Sequence, residues 1–257
     1  MGMTIAVAGK GGTGKTTFSA MMIRCLVERA FAPLLAVDAD PNVNLGEALG
    51  IEADRSIGRL QAETLKHIHD LPAGVPLGRH LEYELHQAIA EGEGVDLLVM
   101  GHGEGPGCYC AVNHILRRYL ETLRSAYRCT VLDNEAGMEH LSRRVSSGID
   151  FLLVVSDANP VALRAAGRIA RMADDLELKI RRRALVLNGL RDDLTDLAEK
   201  EAVESGLEVV GRIPFDPMVL ETNQAGRPVG DLPAESPALQ EVSRVLDKLL
   251  ETKEERA

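Results

Sequence analysis

Ile5-Ala6-Val7-Ala8-Gly9-Lys10-Gly11-Gly12-Thr13-Gly14-Lys15-Thr16 is the stretch that decides the fold. Four apolar residues enter a glycine-rich turn, and the turn opens an amphipathic stretch over about 15–29. Residues 9–16 satisfy G-x-x-x-x-G-K-[ST] between a strand and a helix, the setting in which this spacing cradles phosphate. The glycines let successive backbone N–H groups turn inward on an anion, and the helix beginning near Lys15 adds the positive end of its dipole. Lys15 is spaced to reach the β- and γ-phosphates of a nucleoside triphosphate, and the Thr16 hydroxyl to hold Mg²⁺. Gly11, Gly12, Thr13, Gly14, Lys15, Thr16 and Thr17 are the candidate phosphate and Mg²⁺ contacts.

Outward from this loop, short Val/Leu/Ile-rich runs alternate with helical stretches: 5–8, 34–37, 95–100, 130–132, 151–155, 184–187 and 207–210. They hardly alternate in polarity, as expected of strands buried on both faces of a parallel sheet. Strands alternating with helices imply an α/β fold, a doubly wound, mostly parallel sheet of about seven or eight strands with right-handed crossovers. Residues 50–94 are the least regular and read as helices and loops decorating one edge. Leu239, Val242, Leu246, Leu249 and Leu250 recur at helical spacing over 238–250. The opposite face mixes Glu and Lys, where a membrane-surface helix would be basic, so this reads as a packed C-terminal helix.

The 257 residues show no break in composition, which fits one domain over 1–257. At 45% hydrophobic and 26% charged, the chain can bury a sizeable core. Asp plus Glu number 39 against 29 Lys plus Arg, a formal net charge of −10, which argues against a general nucleic-acid binder. Aromatics are 3% with no Trp, so a base-stacking platform is not expected. There is no apolar run of spanning length and no basic, then apolar, leader pattern at Met1-Gly2-Met3-Thr4. A cytoplasmic location is expected, where thiols stay reduced and Cys25, Cys108, Cys110 and Cys129 call for something other than disulfides.

Several polar residues sit where open α/β sheets bind ligands, at the C-terminal ends of strands. Asp38 and Asp40 follow the second run, where carboxylates can arrange Mg²⁺ and its waters, orient an attacking water, or cap the next helix. Asp133 ends the run 130–132 in the Walker B pattern, an acid that contacts Mg²⁺ through water. Cys108-Tyr109-Cys110 follows a Gly/Pro loop at 101–107 and precedes an amphipathic stretch over 112–127. Two thiolates are too few for a closed tetrahedral site, but two copies in a symmetric dimer supply four. Soft thiolates suit Zn²⁺ or Ni²⁺. Cys25 and Cys129 read as small buried hydrophobes. His114 reads as a helix-face residue with ligation as the alternative, and His140 as a packing residue.

The second lysine, Lys10, extends the loop to G-K-G-G-T-G-K-T-T, which resembles the deviant phosphate loop of the MinD, ParA and nitrogenase iron protein group. The resemblance implies an ATPase in which two protomers sandwich two ATPs and Lys10 acts across the dimer. It gives Lys10, Lys15 and Asp40 the catalytic roles, with Asp40 in an Asp-Pro first switch positioning the hydrolytic water, and gives Asp38 a supporting role toward Mg²⁺. Asp133-Asn134-Glu135-Ala136-Gly137 is similar to the second switch, in which the Gly137 N–H senses the γ-phosphate. Asn188 falls where the group reads adenine, and Pro214, Phe215 and Asp216 resemble the loop that closes over the base.

Two segments narrow the resemblance. Gly107-Cys108-Tyr109-Cys110 and Gly137-Met138-Glu139-His140-Leu141 look like the CooC-type accessory ATPases of carbon monoxide dehydrogenase maturation, with their acetyl-CoA synthase relatives. That resemblance implies a homodimer switched by ATP and ADP, with Ni²⁺ or Zn²⁺ on Cys108 and Cys110 at the dimer interface. It implies nickel insertion into an apo-enzyme client; the acidic charge and the absent basic amphipathic tail separately argue against a nucleic-acid or membrane partner. An iron-protein-like 4Fe–4S reductase and a MinD/ParA-type positioning ATPase are the alternatives.

Overall fold

The computed structural model describes residues 2–40, 42–66, 76–101, 118–119, 121–135, 148–191 and 195–254. Among these residues, eight strands form one sheet in the order β3-β4-β2-β5-β1-β6-β7-β8. They are β1 (Met3–Ala8), β2 (Leu34–Asp38), β3 (Ile89–Glu91), β4 (Val95–Val99), β5 (Cys129–Asp133), β6 (Ile149–Ser156), β7 (Ile180–Leu190) and β8 (Glu208–Pro214). Only β3 runs antiparallel, against β4 at the sheet edge. The seven apolar runs all became strands. The eighth strand lies in the stretch expected to hold only helices and loops.

Every residue of β1, β2 and β5 is buried, because helices cover both faces. On one face lie α1 (Lys15–Glu28), α2 (Leu45–Leu49) and α8 (Pro237–Glu254). Phe18, Met21, Met22 and Leu26 of α1 and Val242, Val245, Leu246 and Leu249 of α8 pack there against Ile5, Val7 and Val131. On the other face lie α3 (Ile57–Lys66), α4 (Leu77–Gln87), α5 (Pro160–Asp175) and α6 (Thr195–Ser205). Leu60, Leu81, Leu85, Leu163 and Ile169 cover Ala6, Val37 and Leu152 on that side. A short helix, α7 (Pro217–Gln224), joins β8 to the turn before α8. No helix among the described residues is long and apolar enough to cross a membrane.

The chain builds outward from β1 in both directions, through β5 and β2 on one side and β6, β7 and β8 on the other. The crevice beside the C-terminal end of β1 is therefore the topological switch point, where such sheets bind ligands. The register brings the acids there together: Val7 and Asp38 both pair with Asp133.

Candidate nucleotide site

The loop leaving β1 runs against β6 and can do so only without a side chain at position 9. A Cβ on Gly9 would lie 2.2 Å from the Val155 carbonyl oxygen. Gly14, the N-cap of α1, has φ +82, and a Cβ there would lie 2.3 Å from Asn188 Nδ2. The loop closes on one acceptor, the Lys10 carbonyl. Thr13 N and Oγ1 donate to it at 3.3 and 2.8 Å, and Lys15 Nζ at 3.4 Å. Lys15 is buried, while Lys10, Gly11 and Gly12 are exposed at the mouth.

The start of α1 is left open. It has no side-chain cap and no acid in its first turn, so its leading N–H groups remain for an anion. The neighbouring α5 and α7 are capped instead, by Asn159 accepting from Val161 N and Asp216 accepting from Met218 N.

Two carboxylates stand side by side at the ends of β2 and β5, both wholly buried, and they are used differently. Asp38 Oδ1 accepts from Asp40 N at 3.1 Å and Oδ2 from Leu45 N at 2.9 Å, so both oxygens fix the loop into α2. Burial raises its pKa, backbone N–H groups of Leu45 and Asp40 pull it down, and the Asp40 charge adds to the rise. Asp133 Oδ1 accepts from Ser19 Oγ at 3.0 Å, while its buried Oδ2 has no hydrogen-bond partner. Burial pushes the Asp133 carboxyl up to about 6, against the pull of the nearby Thr16 and Ser19 hydroxyls and the charge of Lys15; Asp38 adds to the rise.

An unpaired buried carboxylate oxygen is costly. Here it stands with the Thr16 hydroxyl at the phosphate loop, an all-oxygen set suited to a hard cation that keeps most of its waters. The residues fit Mg²⁺: Thr16 and Asp133 would hold it, and it would supply charge neutralisation at the phosphates. Asp40 is half-buried, and its Oδ1 accepts from both Asn42 N and Asn42 Nδ2 at 2.9 Å.

Other polar groups tie the loop to neighbouring strand ends. Asn188, near the end of β7, donates from Nδ2 to Thr13 O at 2.9 Å. Asn134 donates from Nδ2 to Val7 O and Leu132 O at 2.9 and 3.1 Å, and from its backbone N to Val7 O at 3.0 Å. Pro214 ends β8 half-buried. Phe215 is 41% exposed with the Arg191 guanidinium 4.9 Å from its ring centroid. Asp216 is buried, its Oδ1 capping α7 and its Oδ2 accepting from Ser236 Oγ at 2.6 Å and Ala238 N at 3.3 Å. Its carboxylate holds the starts of α7 and α8. The exposed group of the Pro214-Phe215-Asp216 turn is Phe215.

Sequence reasoning did not single out Ser19, and it quoted Asn134 only as part of the second switch. Ser19 was legible as a hydroxyl one helical turn after Thr16, and Asn134 as the polar neighbour of Asp133. Cys25 and Cys129 are buried and outside any disulfide, with burial pushing the Cys25 thiol up to about 11. Cys108, Cys110, His114, Gly137 and His140 lie outside the described residues. Among the described residues no group of three His, Cys, Asp or Glu is placed to hold a metal ion.

Residues 4–229 match the model of the CobQ/CobB/MinD/ParA nucleotide binding domain. An uncharacterized ATP-binding protein of Methanocaldococcus jannaschii is 36% identical over 98% of this chain and 100% of its own length. The carbon monoxide dehydrogenase accessory protein CooC of Rhodospirillum rubrum is 30% identical over 95% of this chain and 94% of its own. Among solved structures, the septum site-determining protein MinD of Pyrococcus horikoshii, complexed with Mg-ADP, superposes with a TM-score of 0.72 at 20% identity. That match covers 100% of this chain and 99% of the other. The phosphate loop at the switch point, the strand-end carboxylates and the matched span agree: the chain belongs to the CobQ/CobB/MinD/ParA nucleotide-binding family and is a P-loop ATPase of the MinD/ParA type.

Proposed function

We propose that this ATPase works as a nucleotide-switched homodimer assisting nickel insertion into carbon monoxide dehydrogenase or its acetyl-CoA synthase relative. One observation carries the reading: Cys108-Tyr109-Cys110 occurs in a chain 30% identical, over nearly its whole length, to a carbon monoxide dehydrogenase accessory protein. In this reading Lys15 and the loop N–H groups bind the phosphates, and Asn188 and the Pro214–Asp216 turn hold the base end. Asp40 orients the attacking water, and Lys10 of one protomer stabilises charge at the other's nucleotide. Gly137 senses the γ-phosphate, so ATP closes the dimer and hydrolysis opens it. Closing pairs two copies of Cys108 and Cys110 into a four-thiolate site for Ni²⁺ or Zn²⁺.

The competing reading is a MinD-type positioning ATPase. A membrane-binding form would need an apolar helix face to offer a bilayer. Here α8 buries Leu239, Val242, Val245, Leu246 and Leu249 in the core, which counts against it.

The test is metal titration of wild type and of the Cys108→Ser/Cys110→Ser variant, each with ADP and with a non-hydrolysable ATP analogue. Tight Ni²⁺ or Zn²⁺ binding at one ion per dimer, lost in the variant while nucleotide binding persists, is the expected result. Unchanged metal affinity in the variant sinks the interface site. ATP-dependent cosedimentation with anionic liposomes would favour the positioning reading. A brown protein with visible cluster absorbance would favour an iron–sulfur reductase.

A further inference from the structure

We propose that Ser19 is a positioning residue for magnesium in this site, holding one oxygen of Asp133 so that the other stays available to the cation's water shell. Ser19 is wholly buried on α1, one turn after Thr16, so the two hydroxyls share a helix face. A buried helical serine ordinarily bonds back to the carbonyl four residues earlier. Ser19 instead donates across the sheet to Asp133 Oδ1 at 3.0 Å, a partner 114 positions away. Apart from Lys15 of the phosphate loop, the side chains α1 buries around it are apolar: Phe18, Ala20, Met21, Met22 and Ile23. Alanine would pack there equally well, so packing alone does not account for a hydroxyl.

The bond has a consequence for the carboxylate. With Oδ1 held, the rotation that would exchange the two oxygens is blocked, and Oδ2 remains buried without a partner. An acid acting on a cation through water depends on such outer partners for its orientation, and their loss typically costs ten- to a hundredfold in metal affinity. The inference rests on the ATPase assignment and stands whether or not the protein inserts nickel.

The experiment measures fluorescent ADP binding to full-length Ser19→Ala and Ser19→Cys, first in EDTA and then across a Mg²⁺ titration. In EDTA both variants should match wild type within about twofold. The Mg²⁺ concentration giving half the affinity gain should rise about tenfold in Ser19→Ala and by a smaller factor, still above about twofold, in Ser19→Cys, whose thiol is only a weak donor. In an Asp133→Asn background Ser19→Ala should change nothing further. A Mg²⁺ midpoint within twofold of wild type in either variant overturns the proposal, whatever the thermal stability. So does an effect of Ser19→Ala that persists undiminished without the Asp133 carboxylate. Should Ser19→Ala fail to fold, Ser19→Cys decides alone.

Discussion

Asp133 holds its proton up to about 6 in the folded protein, against 3.8 for an unperturbed side chain. The raised value fixes the sign of its effect. Between about pH 4 and pH 6 the native state keeps a proton that the unfolded chain has released. This group's contribution to stability is therefore full below pH 4, is lost as pH rises through about 6, and stays lost at neutrality. A shift of about two units is on the order of 3 kcal/mol. Asp133→Asn removes the buried charge and keeps an acceptor for Ser19. Without nucleotide at pH 7.5 the variant should be more stable by about 1–3 kcal/mol, several degrees in Tm for a chain of this size. Its urea midpoint should also lose the wild type's decline between pH 4 and 6, and Mg²⁺ should no longer tighten nucleotide binding. A variant less stable than wild type at pH 7.5 would contradict the assignment of Asp133 as a charge awaiting a cation. Asp38 marks the limit of reading such residues from sequence. Both acids end an apolar strand, and only the fold reveals that Asp38 gives both oxygens to backbone N–H groups while Asp133 keeps one back.

Seven strands were legible because burial on both faces leaves continuous apolar runs that no loop imitates. β3 was not, since Ile89-Ala90-Glu91 is short, nowhere fully buried, and becomes a strand only by pairing with β4. The phosphate loop was legible for a different reason: glycines at fixed spacing are demanded by close backbone approach, as Gly9 against Val155 illustrates. Asp216 was read by resemblance as part of the loop over the base, and its capping role was not legible, because its partners Ser236 and Ala238 come into reach only when α8 docks. That docking requires Gly211. A Cβ at this position of β8 would lie 2.3 Å from Val245 Cγ2, a stiff β-branched side chain at the wholly buried centre of α8's apolar face. Gly211→Ala should therefore cost about 1–3 kcal/mol in urea unfolding. Gly211→Ala/Val245→Ala should cost less than the sum of the single changes, because the second opens the space the first needs. Strict additivity would mean that the contact between β8 and α8 is looser than described.

The molecule as a whole carries a formal charge of −10, so two copies approaching face to face repel, and bound nucleotide adds to that charge. A dimer closed around ATP needs cations reaching across and apolar groups to bury at the rim of the sheet. The rim has both. Within one protomer the loop uses only the Lys10 carbonyl, leaving its side chain exposed. Val43, Val161 and Phe215, 38%, 48% and 41% exposed, follow the C-terminal ends of β2, β6 and β8 along that rim of the sheet. Lys15, by contrast, is buried within its own protomer. Lys10→Ala should leave monomer affinity for Mg-ADP within a few-fold. It should abolish the dimer proposed to form with a non-hydrolysable ATP analogue and lower hydrolysis at least a hundredfold, the order expected when a charge-stabilising group is removed from the transition state. Sedimentation velocity reads the dimer directly. Raising salt to screen the repulsion should not restore it, because the missing element is a specific contact at the phosphates rather than a change in net charge. A Lys10→Ala protein that dimerises at the wild-type concentration of nucleotide would remove Lys10 from the partner's site and return it to the surface of its own loop.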